Sequence, residues 1–187
     1  MLRCMLSEDM TLLLAATDYA ARAHRDQRRK GAGKAPYINH CLTVSQSISA
    51  SGDNHASTAV LCAAVLHDIV EDTPVSDADV RGWFGAAIAD LVAEVTDDKS
   101  QPKAVRKAAQ ITHGPHLSPG ACLIKLADKT SNVLDLALDP PPDWSRQRML
   151  EYVSWSERVV SSLSYRSPAL MVDFEAACQR TRAAFGA

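Results

Sequence analysis

Apolar positions recur at helical spacing along this chain, and no segment alternates convincingly with period two. Leu12 to about Arg25 predicts a first helix, with Ser7 or Asp9 available as its cap. Gly31 to Pro36 reads as a loop, and Ile38 to Ser49 as a second helix broken by Ser51-Gly52-Asp53-Asn54. Ala56 to about Val70 is Ala/Leu/Val-rich throughout, which predicts a third helix buried on most sides and closed by Thr73-Pro74. Asp77 to Phe84 and Ala86 to Val95 predict helices on either side of Gly85, and Lys103 to Gln110 predicts a polar one. A loop from Thr112 to Gly120 leads into a helix over Ala121 to Ala137, and Asp139-Pro140-Pro141-Pro142-Asp143 reads as a linker. Trp144 to about Leu163 puts Met149, Val153, Val160 and Leu163 on a core face, and Pro168 to Ala184 supplies a last helix. The expectation is an all-α helical bundle.

Composition agrees and narrows the class. The 187 residues suffice for one domain with a sizeable core and are too few for two full ones. Apolar residues make up 47% and aromatics only 5%, and the abundance of Ala and Leu favours helices. A net charge of -2 argues against a chain built to hold a nucleic acid. Cys4, Cys41, Cys62, Cys122 and Cys178 form no CxxC pair, which points to reduced thiols. The longest apolar run, Ala59 to Leu66, is far too short to span a bilayer, and no signal-peptide core precedes Ser7-Glu8-Asp9. A soluble cytoplasmic protein with no membrane partner is expected.

The chemistry concentrates in Leu66-His67-Asp68-Ile69-Val70-Glu71-Asp72-Thr73-Pro74. On a helix, His67/Glu71 and Asp68/Asp72 are i, i+4 pairs, so four ionisable groups crowd one turn at the end of an apolar segment. Like charges that close need a cation or a proton to offset them, and a metal is the simplest cation. His40, at the start of the second helix, and Asp128, inside an apolar helix, are of matching ligand type. Alone, His40 reads as a capping or core histidine and Asp128 as a salt-bridged acid. Together with His67 and Asp68 they make a two-His, two-Asp set suited to Mn²⁺, Fe²⁺ or Zn²⁺, with open positions left for water and a phosphate oxygen.

The set His40, His67-Asp68, Asp128 resembles the H…HD…D signature of the HD superfamily. More narrowly, the chain resembles the hydrolase domain of RelA/SpoT-type alarmone enzymes, and most of all their stand-alone metazoan-SpoT-homologue-like relatives. The matching blocks include Ala23 to Lys30, Pro36 to His40, Ala64 to Thr73, Val95 to Lys99, Pro115 to Ala121, Lys125 to Lys129 and the helix from Trp144. They run from about Ala16 to Leu163, so the whole of 1–187 is expected to be one HD domain without a synthetase or regulatory domain. The resemblance implies an all-α HD fold, a Mn²⁺ ion and removal of the 3′-pyrophosphate of (p)ppGpp. It implies His40, His67, Asp68 and Asp128 as metal ligands and Glu71 with Asp72 as the catalytic acidic pair. It assigns Arg29 and Lys30 to the base and ribose, Asn132 to the nucleoside, and Lys103, Arg148 and Tyr152 to distal phosphates.

Elementary chemistry is consistent with that assignment. Glu71 stands near enough to the ligands to take a proton from water, and Lys103 and Arg148 can offset developing charge. Two departures fall near the base pocket: Cys41 stands where the family usually has Pro, and the Gly31 to Ala35 loop is longer than in the bifunctional enzymes. Gly33-Lys34 is no phosphate-binding loop, because Ala35 follows and no upstream strand or spaced Gly is present. The basic run from Arg22 to Lys34 reads as a solvated face ending in a pocket. Besides the small-molecule alarmone substrate, adenosine alarmones and NADPH (a 2′-phosphatase reaction) are alternative substrates. A nucleotide-sensing module is the non-enzyme alternative, against which the intact Glu71-Asp72 pair argues.

Overall fold

The computed structural model describes residues 2–186, with side chains from residue 8 onward, so Cys4 and Ser7 lie outside the described side chains. The chain is a succession of helices: α1 (Leu2–Ala23), α2 (Ile38–Ala50), α3 (Thr58–Leu66), α4 (Ile69–Asp72), α5 (Asp77–Phe84) and α6 (Ala86–Val95). They are followed by α7 (Lys103–His113), a 3-10 turn (Gly114–His116), α8 (Pro119–Leu138), α9 (Arg146–Ser162) and α10 (Pro168–Ala184). Among the described residues there is no strand, only an isolated bridge between Arg28 and Pro36. The all-α expectation holds.

Two elements organise the core. α8 packs against α10, α2, α9, α6 and α3, and α3 packs against α2, α1 and α6. Leu66, Ile69, Leu123, Ile124 and Leu126 are fully buried where these helices meet. Apolar burial of this kind contributes roughly 1.5–3 kcal/mol per large side chain. His67 and Asp128 therefore project from the two best-anchored helices of the fold.

The helix expected over Ala56 to Val70 is in fact two. Ser57 caps its start by accepting from the Val60 N–H. Its end comes at Leu66, because His67 Nδ1–H donates to the Ala64 carbonyl at 2.8 Å. A continued helix would give that carbonyl to the Asp68 N–H. Asp68 leaves helical geometry (φ -99°, ψ 0°), and its own carbonyl then accepts from the Asp72 N–H to begin α4.

Other boundaries also moved. α1 begins at Leu2, so positions 7 and 9 lie within the helix and not at its start; Leu, Met and Glu there are strong helix formers. α7 continues to His113, which shortens the loop expected from Thr112 to Gly120 to a 3-10 turn and a Ser118 cap. Trp144 precedes α9, whose cap is Ser145. Gly85 joins α5 to α6 at φ 82°, ψ 171°, a conformation open essentially to glycine alone.

Candidate active site and metal centre

His67 Nδ1 must carry its ring proton, because the Ala64 carbonyl can only accept. Its Nε2 lone pair is thereby aimed away from α3. His40, on the first turn of α2, has its Nδ1 hydrogen-bonded to Ser131 Oγ of α8 at 3.0 Å. Both Nε2 atoms are buried and make no hydrogen bond. They face two carboxylates all the same. His40 Nε2 lies 3.2 Å from Asp128 Oδ1 and 3.8 Å from Asp68 Oδ2. His67 Nε2 lies 3.0 Å from Asp68 Oδ2 and 3.8 Å from Asp128 Oδ1.

Ligand atoms about 2.0–2.2 Å from one ion stand roughly 3 Å apart when adjacent. The ligand atoms of His40, His67 and Asp128 lie within 4.8 Å of one another and Asp68 reaches both imidazoles; with two orphaned imidazole nitrogens among them, these groups suit a divalent cation and make poor partners for one another without it. The carboxylates are held from outside, as ligating carboxylates usually are. Tyr37 Oη–H donates to Asp68 Oδ2 at 2.7 Å. Lys129 Nζ donates to Asp128 Oδ2 at 2.9 Å, and the Asn132 amide donates to Asp128 Oδ1. Burial opposes ionisation of Asp128, yet the adjacent Lys129 charge and the two histidines hold its carboxyl well below the ordinary range. Cys41 is fully buried beside this centre, and burial pushes its thiol up to about 12.

Glu71 and Asp72 form the wall next to the centre. Glu71 Oε2 accepts from the Asp97 N–H at 3.3 Å, and its other oxygen lies 3.5 Å from Arg106 and 3.7 Å from Lys99. Burial first, then the charges of Asp68 and Asp97, raise its carboxyl above the ordinary range. Asp72 accepts from Gln27 Nε2 at 3.1 Å on one oxygen and from Lys99 Nζ on the other. The two acids are thus not equivalent: one has its carboxyl pushed up by its surroundings and the other is pinned from two sides.

These groups open into a cavity of about 980 Å³, at the upper end of the roughly 300–1,000 Å³ common for small-molecule sites. Of the twelve residues named from sequence, all except His40, which lies beneath the floor, line it. Arg29 is tied to Asp135 at 2.7 Å and to Asn132 Oδ1 at 2.6 Å, with its guanidinium over the Tyr37 ring. Gly31 sits so close to Asp139 that a Cβ would lie 2.1 Å from its carboxylate, and the Gly33 N–H donates to that carboxylate at 3.0 Å. Asp139, read from sequence as linker, therefore anchors the loop that borders this end.

Lys103 and Arg148 line the same cavity and are exposed. Burial first, then Arg148, Lys30 and Arg106, push the Lys103 ammonium down, which marks a rim of mutually repelling cations. Arg148 stacks on Trp144 at 4.2 Å, not on Tyr152, which tilts against Trp144 and Trp155 instead. Sequence reading passed over Arg106 and Lys107, although with Lys103 they sit at i, i+3 and i+4 on one face of α7. It also gave no role to Tyr37, Lys99 or Lys129, each inside a block quoted for the resemblance. His24 is buried and stacked on Tyr37. His55 is exposed and meets the Tyr165 ring edge-on.

Fold and site together define an all-helical protein with a two-His, two-Asp centre of the kind that holds a divalent ion. Residues 16–152 match the HD domain family. The chain is 47% identical to the guanosine-3′,5′-bis(diphosphate) 3′-pyrophosphohydrolase MESH1 of Xenopus tropicalis, over 84% of this chain and 88% of that one. The MESH1 of Homo sapiens is 46% identical over the same shares. A solved structure described as a metazoan orthologue of SpoT that hydrolyses ppGpp superposes with a TM-score of 0.85 at 39% identity, covering 90% of this chain and 94% of that one. The chain belongs to the HD domain family, and within it to the MESH1 group. No helix among the described residues is long and apolar enough to cross a membrane.

Proposed function

We propose that this protein is a divalent-metal-dependent hydrolase that removes the 3′-pyrophosphate from guanosine alarmones, converting ppGpp or pppGpp to GDP or GTP. The observation that carries this reading is the polarity of one cavity. Its lining combines the His/Asp centre, Glu71 and Asp72 with the cations Lys103, Lys107 and Arg148. A nucleotide with a diphosphate at each end presents one anion to a metal and a second to the cationic rim. The MESH1 relatives, named for this reaction, support the same substrate.

His40, His67, Asp68 and Asp128 are the ligands in this reading. Mn²⁺ is the ion it assigns, because two imidazoles and two carboxylates with open positions suit it. When bound, the ion supplies Lewis acidity and neutralises charge at the scissile phosphate. Glu71, whose carboxyl burial raises above the ordinary range, takes the proton of the attacking water. The water oxygen bonds to the phosphorus carried by the 3′-oxygen, that P–O bond breaks, and the 3′-oxygen leaves with a proton. Asp72 assists that transfer, and Arg106, beside Glu71, offsets charge on the departing pyrophosphate. Arg29, Lys30 and Asn132 receive the nucleoside, and Tyr152 supports the rim. The four described cysteines are unpaired and buried, which fits work in a reducing cytoplasm.

The test is a substrate panel. Mn²⁺-loaded protein given ppGpp, ppApp and NADPH separately should turn over ppGpp with the highest kcat/KM, and chelated protein should turn over none. Preference for ppApp or NADPH, or equal rates after chelation, would overturn the assignment.

A further inference from the structure

We infer that Gln27 is a positioning residue for the hydrolysis, holding Asp72 in one orientation, and that His24 in turn holds Gln27. The inference rests on the reading above that Asp72 acts on the substrate.

A carboxylate can only accept, so the Gln27 amide must turn its NH₂ group toward Asp72 Oδ2, 3.1 Å away. That orientation leaves Gln27 Oε1 facing His24 Nδ1 at 2.6 Å. The amide oxygen also can only accept, so the His24 proton sits on Nδ1. The rest of the His24 environment allows this. Its residue is 1% exposed, its ring stacks on Tyr37 with centroids 5.0 Å apart, and its Nε2 is buried with no partner to draw the proton away.

Gln27 itself has little freedom. Its N–H donates to the His24 carbonyl at 2.9 Å, and its carbonyl accepts from the Tyr37 N–H at 3.1 Å. Tyr37, wedged against His24, holds Asp68 through its hydroxyl. One short segment after α1 therefore fixes a ligand and an acid of the site at once.

The other hold on Asp72 is of a different kind. Lys99 has a side chain 46% exposed, on a long flexible stem, and it lies within reach of Glu71 as well. Such a cation can follow a phosphate as it binds or leaves. The Gln27 amide is the fixed contact, and it alone dictates which way the Asp72 carboxylate faces while Lys99 moves. Loss of Gln27 should therefore impair turnover and leave nucleotide and metal binding alone.

Gln27→Leu keeps the bulk and removes the amide. Its kcat on ppGpp should fall about tenfold or more, the scale of one hydrogen bond to a charged group. KM, bound metal and thermal midpoint should stay close to wild type. In an Asp72→Asn background the same change should alter kcat less than about twofold, because its effect runs through Asp72. His24→Asn, which keeps an N–H donor near the Nδ1 position, should retain most of the turnover, whereas His24→Leu should lose as much as Gln27→Leu.

Multiplicative losses in the Gln27→Leu/Asp72→Asn double variant would overturn the positioning role while leaving the hydrolase reading intact. Equal losses in both His24 variants would overturn the part given to His24. Full kcat in Asp72→Asn alone would remove the premise shared with the proposed mechanism. Those three outcomes are separable in one set of steady-state measurements.

Discussion

Glu71 is the residue at which burial and chemistry meet most plainly. Its carboxyl is raised by burial first and then by Asp68 and Asp97. A cation at the centre cancels the share due to Asp68, whereas burial and Asp97 still push upward. A raised carboxyl keeps its proton to higher pH, and a base works only without it. Turnover should therefore fall as pH drops through a limb lying above the ordinary glutamate value of about 4.3. Glu71→Gln should lower kcat by roughly 10²-fold or more, keep its metal, and lose that limb. A pH–kcat profile of both proteins checks this; an unchanged limb in the variant would assign it elsewhere. At this scale the sequence was most legible where residue type alone limits the role. Two histidines and two aspartates in separate blocks have few joint uses, and the fold brings each imidazole Nε2 within 3.0–3.8 Å of both carboxylates. Gln27 was not legible, because an amide gains meaning only from the carboxylate and imidazole it faces.

At the scale of elements, helix periodicity located nearly every helix and misjudged ends that side chains decide. The break after Leu66 depends on one imidazole taking a backbone carbonyl, a competition no periodicity records. That break matters to function. It turns Asp68 out of α3 and lets Glu71 and Asp72 start afresh in α4, so the four groups line one cavity from two short helices instead of one helix face. The joint at Gly85 was legible as a breaker, and its φ of 82° explains why. Gly85→Ala should cost roughly 1–3 kcal/mol of unfolding free energy, through backbone strain alone. Chemical denaturation should show the loss, and kcat on ppGpp should not change, since nothing lies within 4 Å of the added methyl. A large drop in kcat would mean that the α5–α6 joint communicates with the site.

For the molecule as a whole, the arrangement is a buried anchor with a charged mouth. α3 and α8 carry the centre on the core, while the segment after α1, α7 and the start of α9 close around it with polar side chains. Net charge concealed this organisation, because the cations of the rim and the acids of the floor nearly cancel over the chain. The rim was legible only in part: Lys103 and Arg148 came from the family likeness, whereas Arg106 and Lys107 needed the turn of α7 over the cavity. In the proposed reaction, the same division lets the acids serve one end of the nucleotide and the cations the other. The most direct measurement is hydrolysis of ppGpp by the Mn²⁺-loaded protein in ¹⁸O-labelled water, with phosphorus products and label position read together. GDP and pyrophosphate in equal amounts, with the label in pyrophosphate, are expected. Release of orthophosphate, or label incorporated at the nucleoside 3′-oxygen, would contradict attack at the phosphorus next to the 3′-oxygen.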